Sequence, residues 1–418
     1  MSSESYRIDY WDSHIADSII EPEESSKGLI QDFAEDGWSL RSNSSLWIIP
    51  LILNCFGILM IASLTSQGGS GITSPYGLPF KQLLFFILGF VSMLTICVIP
   101  LAYFRRMSGF FWVCAMLLVG ATLIPGLGVK VGGARRWLNL GFIQFQPLEI
   151  LTLAVTIHLA KRLGSSKLNG EKCFLKVTLL IWLFSVLFLF FQPNFGGIIL
   201  LTGICMSMHV VNRGWKYPLR AAIFLLLFFA LMIYTENYRM WRLWAFLNPW
   251  DDPMKKGFQI IQGLVAFNNG GVLGMGLGKG LQKLNYLPAA HTDYIFPVIG
   301  EEFGLVGTFL VLALYSFWAW KCYQLYRRSR DPSRTALIWG MTVSILFPLF
   351  INLGGVMKLL PLSGIPLPFV SAGGTALVFM WVRVGFLLRI GKELTDVAAR
   401  HEGALDDLDL LDDFVWNA

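Results

Sequence analysis

The sequence predicts an all-α integral membrane protein of about ten transmembrane helices, with one large extracytoplasmic loop between the seventh and eighth. Three observations carry this. Of the 418 residues, 55% are hydrophobic and only 14% are charged, whereas an ordinary soluble domain carries about 25% charged residues. Mean hydropathy is +0.59. The apolar residues also gather into runs close to the roughly 20 residues that cross a bilayer core as a helix. Runs this long and unalternating suit helices, which satisfy their own backbone in lipid, and not barrel strands. Too little charge remains to cover two or three soluble domains. A disordered chain, a disulfide scaffold and a nucleic-acid-binding surface are excluded for the bulk of the protein.

The first element is a tail, 1–45, with ten acids against Arg7, Lys27 and Arg41, a net of −7. It reads as a solvated acidic segment. No cleavable leader is expected, because the first apolar run starts near Leu46 behind this acidic stretch; that run stays as an anchor. The ten spans are predicted at 46–66, 82–103, 109–126, 146–163, 174–191, 197–212, 219–235, 294–319, 336–355 and 367–389. A second acidic tail, 391–418, has eight acids and two bases. The domain from 46 to 390 therefore holds 28 bases and only nine acids, a net of +19.

Orientation follows from the basic residues of short loops. Loops after even-numbered spans carry Arg105, Arg106, Lys161, Arg162, Lys167, Lys172, Arg213, Lys216, Lys321, Arg327, Arg328, Arg330 and Arg334. The short loops on the other side carry fewer, among them Lys130, Arg135, Arg136 and Lys358. The even side is expected to be cytoplasmic, and both tails with it. The long loop, 236–293, then lies outside. It is rich in aromatics and glycines, and a long ordered loop of this kind usually carries function. Within it, 257–267 has apolar residues at helical spacing and suits an amphipathic interfacial helix. The glycine run 270–280 lacks the GK[ST] of a phosphate loop. It is read as a tight turn that lets backbone approach a ligand or a helix.

Acids at membrane depth are costly and mark function by default. Asp293 lies where the long loop meets span eight. Half-desolvated there, its carboxylate suits a general base; the same position suits a helix N-cap. Glu301 and Glu302, further along span eight, suit structural pairing with a base or polar neighbours. Glu149 opens span four, where an acid favours the helix dipole and is within reach of Arg135 or Arg136; a substrate-orienting role fits equally. Basic residues outside run against the positive-inside trend. Arg135, Arg136, Arg239, Arg242, Lys279 and Lys283 could form an anion site for a membrane-borne ligand, or anchor lipid headgroups one by one. His291 is two residues from Asp293, which leaves a His–Asp relay or an incidental histidine. The six cysteines form no CxxC, and the histidines share no metal-ligand spacing.

Four motifs then identify a relationship. They are Gly133–Ala134–Arg135–Arg136–Trp137 with Gln146–Pro147–Leu148–Glu149, Gln192–Pro193–Asn194–Phe195–Gly196, the block from Tyr238 to Gly307 that contains His291–Thr292–Asp293, and Leu359–Gly374. Over about 46–390 the chain resembles the SEDS family (shape, elongation, division and sporulation), whose members include FtsW, RodA and SpoVE. The resemblance implies a peptidoglycan glycosyltransferase that polymerises lipid II at the outer face of the bacterial cytoplasmic (inner) membrane. It works with a class B penicillin-binding protein and other divisome membrane proteins. It implies Asp293 as general base, with Arg135, Arg136, Glu149, Glu236, Arg239, Arg242, Lys283, His291 and Ser371 as substrate-binding residues. The undecaprenyl pyrophosphate-linked glycan is the donor, with or without a divalent cation, Mg or Mn, at its pyrophosphate. Gln282–Lys283–Leu284 and the acidic N-terminal tail resemble the division branch, FtsW, whereas Ile365–Ser371 is closer to RodA. An elongation-type polymerase, a lipid II flippase and a non-catalytic scaffold are the alternatives. The chain departs from the family pattern at Ala289 (usually Glu), Thr152 (usually Lys), Asn194 (usually Asp) and Ala372 (usually Tyr).

Overall fold

The computed structural model describes residues 43–66, 77–131, 134–139, 141, 144–165, 171–216, isolated positions between 218 and 234, 237–255, 257–282 and 287–416. The side chains of 171–174, 213, 237–239 and 397–416 lie outside the description. Ser45–Ala418 forms one compact unit.

Eleven α-helices are present among the described residues: α1 Ser45–Thr65, α2 Gly77–Val98, α3 Leu101–Ala121, α4 Pro147–Leu163, α5 Glu171–Phe191, α6 Phe195–Arg213, α7 Asn237–Leu247, α8 Phe258–Gly270, α9 Ile295–Arg328, α10 Pro332–Val356 and α11 Thr375–Trp416. Six of them (α1, α2, α3, α6, α9 and α10) are long and apolar enough to cross a membrane. The protein is a predominantly helical multi-pass membrane protein. Nine of the ten predicted spans coincide with a described helix, shifted by a few residues at the ends. Span seven, 219–235, falls largely outside the described residues. Span three begins earlier than predicted, at Leu101 behind Pro100, since proline favours the start of a helix.

Span ten is corrected more substantially. The apolar run from Leu367 reads as helix, but α11 starts only at Thr375. Residues 359–374 form an extended loop whose carbonyls are held by side chains from other helices. Asn54 of α1 donates to Phe369 O at 3.0 Å, Gln82 of α2 to Ser371 O at 3.0 Å, and the Tyr315 hydroxyl of α9 to Pro368 O. Non-helical backbone at membrane depth survives only where protein satisfies it in this way.

One feature was not anticipated. The segment between α3 and α4 is an antiparallel sheet of β1 Gly128–Val131, β2 Ala134–Asn139 and β3 Gln144–Phe145. Its registers pair Val129 with Trp137 and Leu138 with Phe145.

The helices pack in a continuous bundle. α11 lies along α2, α3 along α4, and α10 between α4 and α6, while α9 touches α1, α8 and α10. The two ends differ. One gathers Arg105, Asp331, Arg334, Arg389 and Glu393 in ion pairs of 3.3–3.8 Å. Arg105, Asp331 and Arg334 belong to predicted even-side loops, Arg389 ends predicted span ten and Glu393 starts the second tail, so those segments share one face. The other end carries the sheet and the residues around Asp293.

α9 is broken. Gly304 has φ 65° and ψ −162°, and the glycine run docks into the gap. Met275 and Gly276 donate to Glu301 O and Glu302 O at 2.9 Å, and Leu305 donates to Gly271 O at 2.9 Å. A Cβ on Gly274 (φ +82°) would sit 2.3 Å from Glu302 O, so the chain needs glycine there. The tight-turn reading of this run stands, and its partner is a helix.

Candidate active site

Asp293 closes a turn that begins at Ala289, a non-glycine residue at φ +54°. Thr292 N and Tyr294 N both donate to Ala289 O, at 3.0 and 3.3 Å. α9 then starts at Ile295 with Tyr294 in the N-cap position and no side-chain cap. The Asp293 carboxylate is therefore not used as an N-cap.

What surrounds it comes from the 359–374 loop and α7. Gly364 has φ +73°, and a Cβ there would lie 3.4 Å from Asp293 Oδ2 and 3.9 Å from Arg242 Nη1. Arg242 in turn donates to Leu362 O at 2.9 Å. One turn of chain thus brings the carboxylate and the guanidinium to a common point. Burial pushes the Asp293 carboxyl above its usual value, and Arg242 pulls partly the other way. Burial lowers His291, which favours the neutral imidazole. Among the described residues no hydrogen bond joins His291 to Asp293, so a direct relay is not formed. The His291 carbonyl accepts instead from Ala372 N at 2.9 Å.

Ser371, expected to touch substrate, is 3% exposed. Its hydroxyl donates to Thr292 O at 2.5 Å and accepts from Leu367 N at 2.9 Å. Its hydroxyl thereby joins the 289–293 turn to the 359–374 loop.

Glu149 is not paired with Arg135 or Arg136. Arg383 of α11, 2% exposed, donates to Glu149 Oε2 at 3.0 Å and to Thr152 Oγ1 at 2.7 Å. The cation missing at Thr152 is supplied from another helix. Arg136 reaches Pro193 O at 2.7 Å, and Arg135 turns toward Leu123 O at 3.5 Å. The Gln192–Gly196 turn beside Arg136 abuts the same extended loop, since a Cβ on Gly196 would lie 3.3 Å from Ser363 O. Asn194 caps α6 through Gly197 N at 3.1 Å, a bond that the usual Asp would also make.

Glu301 and Glu302 are buried. Glu301 accepts from Asn269 Nδ2 at 3.1 Å and Gln282 N at 3.1 Å, and Glu302 accepts from Ser63 Oγ at 3.0 Å. Both hold the break in α9 together. Glu236 and Lys283 lie outside the described residues, as does the side chain of Arg239.

Sequence reasoning missed Asn352, Gln82 and Asn54, which tie the extended loop to three helices. The available signal was a lone amide inside an apolar run, the kind of polar group a membrane helix retains only with a partner.

A family model described as "Cell cycle protein", for FtsW, RodA and SpoVE, matches residues 43–396. A protein of Saccharophagus degradans named "Probable peptidoglycan glycosyltransferase FtsW" is 34% identical over 363 residues, 85% of this chain and 93% of the relative. One of the same name from Nitrosococcus halophilus is 37% identical over 321 residues, 75% and 82% of the two chains. Among solved structures, a chain of a peptidoglycan synthase complex superposes with TM-score 0.70 at 24% identity, covering 84% of this chain and 97% of that one. The rod shape determining protein RodA of Thermus thermophilus gives TM-score 0.61 at 22% identity, with 83% and 96% covered. At these identities the structural likeness is one of fold.

Proposed function

The chain belongs to the FtsW, RodA and SpoVE family of cell cycle proteins, and from that premise we propose that it is the peptidoglycan glycosyltransferase of cell division. Its curated relatives carry the FtsW name. The observation that carries the chemistry is the Asp293 carboxylate, desolvated, not used as a cap, and beside Arg242.

The substrate is lipid II, and the donor is the growing glycan on undecaprenyl pyrophosphate. A hydroxyl is a weak nucleophile at neutral pH, so its proton must leave as it attacks. Asp293 accepts the proton of the acceptor's sugar 4-hydroxyl. That oxygen bonds to the anomeric carbon of the donor, the carbon–oxygen bond to the pyrophosphate breaks, and the linkage inverts. Negative charge grows on the pyrophosphate. Arg242, with the basic residues Arg135, Arg136, Arg239 and Lys283 of the same outer segments, would neutralise it. One carboxylate beside a guanidinium does not suit a resident divalent ion, which takes several oxygen ligands. Any Mg or Mn would sit with the pyrophosphate of the bound donor.

The orientation that fits places Asp293 outside the inner membrane and both tails in the cytoplasm. The working assembly includes a class B penicillin-binding protein and other divisome membrane proteins. The fold it shares with a chain of a peptidoglycan synthase complex supports that partnership. The test is polymerisation of lipid II by the purified chain with its transpeptidase. Wild type makes glycan strands and Asp293→Ala makes none; polymer from Asp293→Ala would refute the base assignment.

A further inference from the structure

We propose that Asn352 is the positioning residue that sets Asp293 in its working place, an inference that rests on the reading of Asp293 as base. α9 begins at Ile295 with Tyr294 as its N-cap, so Tyr294 is the residue whose carbonyl accepts the first intrahelical bond. The Asp293 carbonyl lies one residue outside the helix and has no place in its ladder. It must find another donor or stay unsatisfied in a buried place, which is costly.

Asn352 of α10 is that donor. It is 2% exposed, and its Nδ2 lies 2.8 Å from Asp293 O and 2.8 Å from Ile365 O. Both N–H bonds are thus committed to carbonyls of two non-helical segments. Ile365 stands between two constraints of its own: the residue before it is Gly364, against the Asp293 carboxylate, and the residue after it is Pro366. The main chain of Asp293 is therefore tethered through Asn352 to Ile365, next to the glycine that leaves room for its carboxylate. The tether fixes where the Asp293 backbone stands relative to that loop. No other donor to the Asp293 carbonyl is present among the described residues. The groups that face the carboxylate and share its electrostatics are Arg242 and Tyr294.

The experiment uses the full chain with its transpeptidase and lipid II. Asn352→Leu keeps the volume and removes both donors. Displacing a catalytic group by about 1 Å costs on the order of 100-fold, so kcat should fall 10- to 100-fold with KM within about two-fold. The acid limb of the pH–rate profile should move to lower pH as the freed carboxylate meets water. Native kcat and a native pH profile in folded Asn352→Leu would overturn the proposal. Should Asn352→Leu not fold, Asn352→Gln carries the test. It keeps the amide but moves it one methylene outward; reduced kcat at native KM supports the proposal, and native kcat overturns it. Activity in Asp293→Ala would sink the base reading itself, whatever the Asn352 variants do.

Discussion

Replacing Arg383 with Met tests how this chain manages without a lysine at position 152. The Glu149–Arg383 pair, 3.0 Å apart and nearly enclosed, is worth about 5 kcal/mol of Coulomb attraction at an effective dielectric near 20. Desolvating two ions costs several kcal/mol each, so the intact pair adds little net stability. Removing one partner is different, because the other charge stays buried and unpaired. Arg383→Met should therefore lower unfolding free energy by about 3–5 kcal/mol, measured by detergent-induced unfolding in micelles. Glu149→Gln added to it should recover most of that loss, giving a large coupling in the double-mutant cycle. Thr152→Lys on the Arg383→Met background places a cation one turn from Glu149 and should also rescue. In the wild-type background the same Thr152→Lys crowds two cations and should destabilise. A loss below about 1 kcal/mol for Arg383→Met, or effects additive within about 0.5 kcal/mol, would refute the reasoning.

Further outcomes follow from the site and the broken helix. Asp293 titrates above its ordinary value, so polymerase activity should fall as pH drops through that raised pKa, and Arg242→Gln should shift the acid limb to higher pH by removing the cation that favours the carboxylate. The folded state holds the Asp293 proton more tightly than the unfolded chain, so stability declines as pH rises through this window; Asp293→Asn should raise the unfolding midpoint at neutral pH while abolishing activity. Gly274→Ala, at φ +82° and 2.3 Å from Glu302 O, should cost at least about 2 kcal/mol, read as a lower thermal midpoint.

Hydropathy made most of the bundle legible, because a lipid-facing helix must be apolar over a fixed length whatever it packs against. The beginning of α11 was not legible for the converse reason. Leu367–Val370 is apolar, yet it is buried in protein; Tyr315 bonds Pro368 O and Asn54 bonds Phe369 O, while Gln82 and Asn352 hold the flanking Ser371 O and Ile365 O. Local pattern cannot see donors 289 and 315 positions away, as Gln82 and Asn54 are. Sequence distance also hid Arg383, 234 positions from Glu149. Asp293 was visible as a rare acid at a loop–helix junction, with base and cap as competing roles. Only the geometry shows that the cap is not formed, since Tyr294 holds the N-cap position. The 128–145 sheet is too short for alternation to register against the surrounding apolar runs.

The break at Gly304 divides one rod into two. The glycine run straps both halves: Met275 and Gly276 donate to Glu301 O and Glu302 O before the break, and Leu305 and Val306 donate to Gly271 O and Val272 O after it. The short piece of α9 beside Asp293 and its long remainder can thus follow different axes without leaving backbone groups unpaired at the bend.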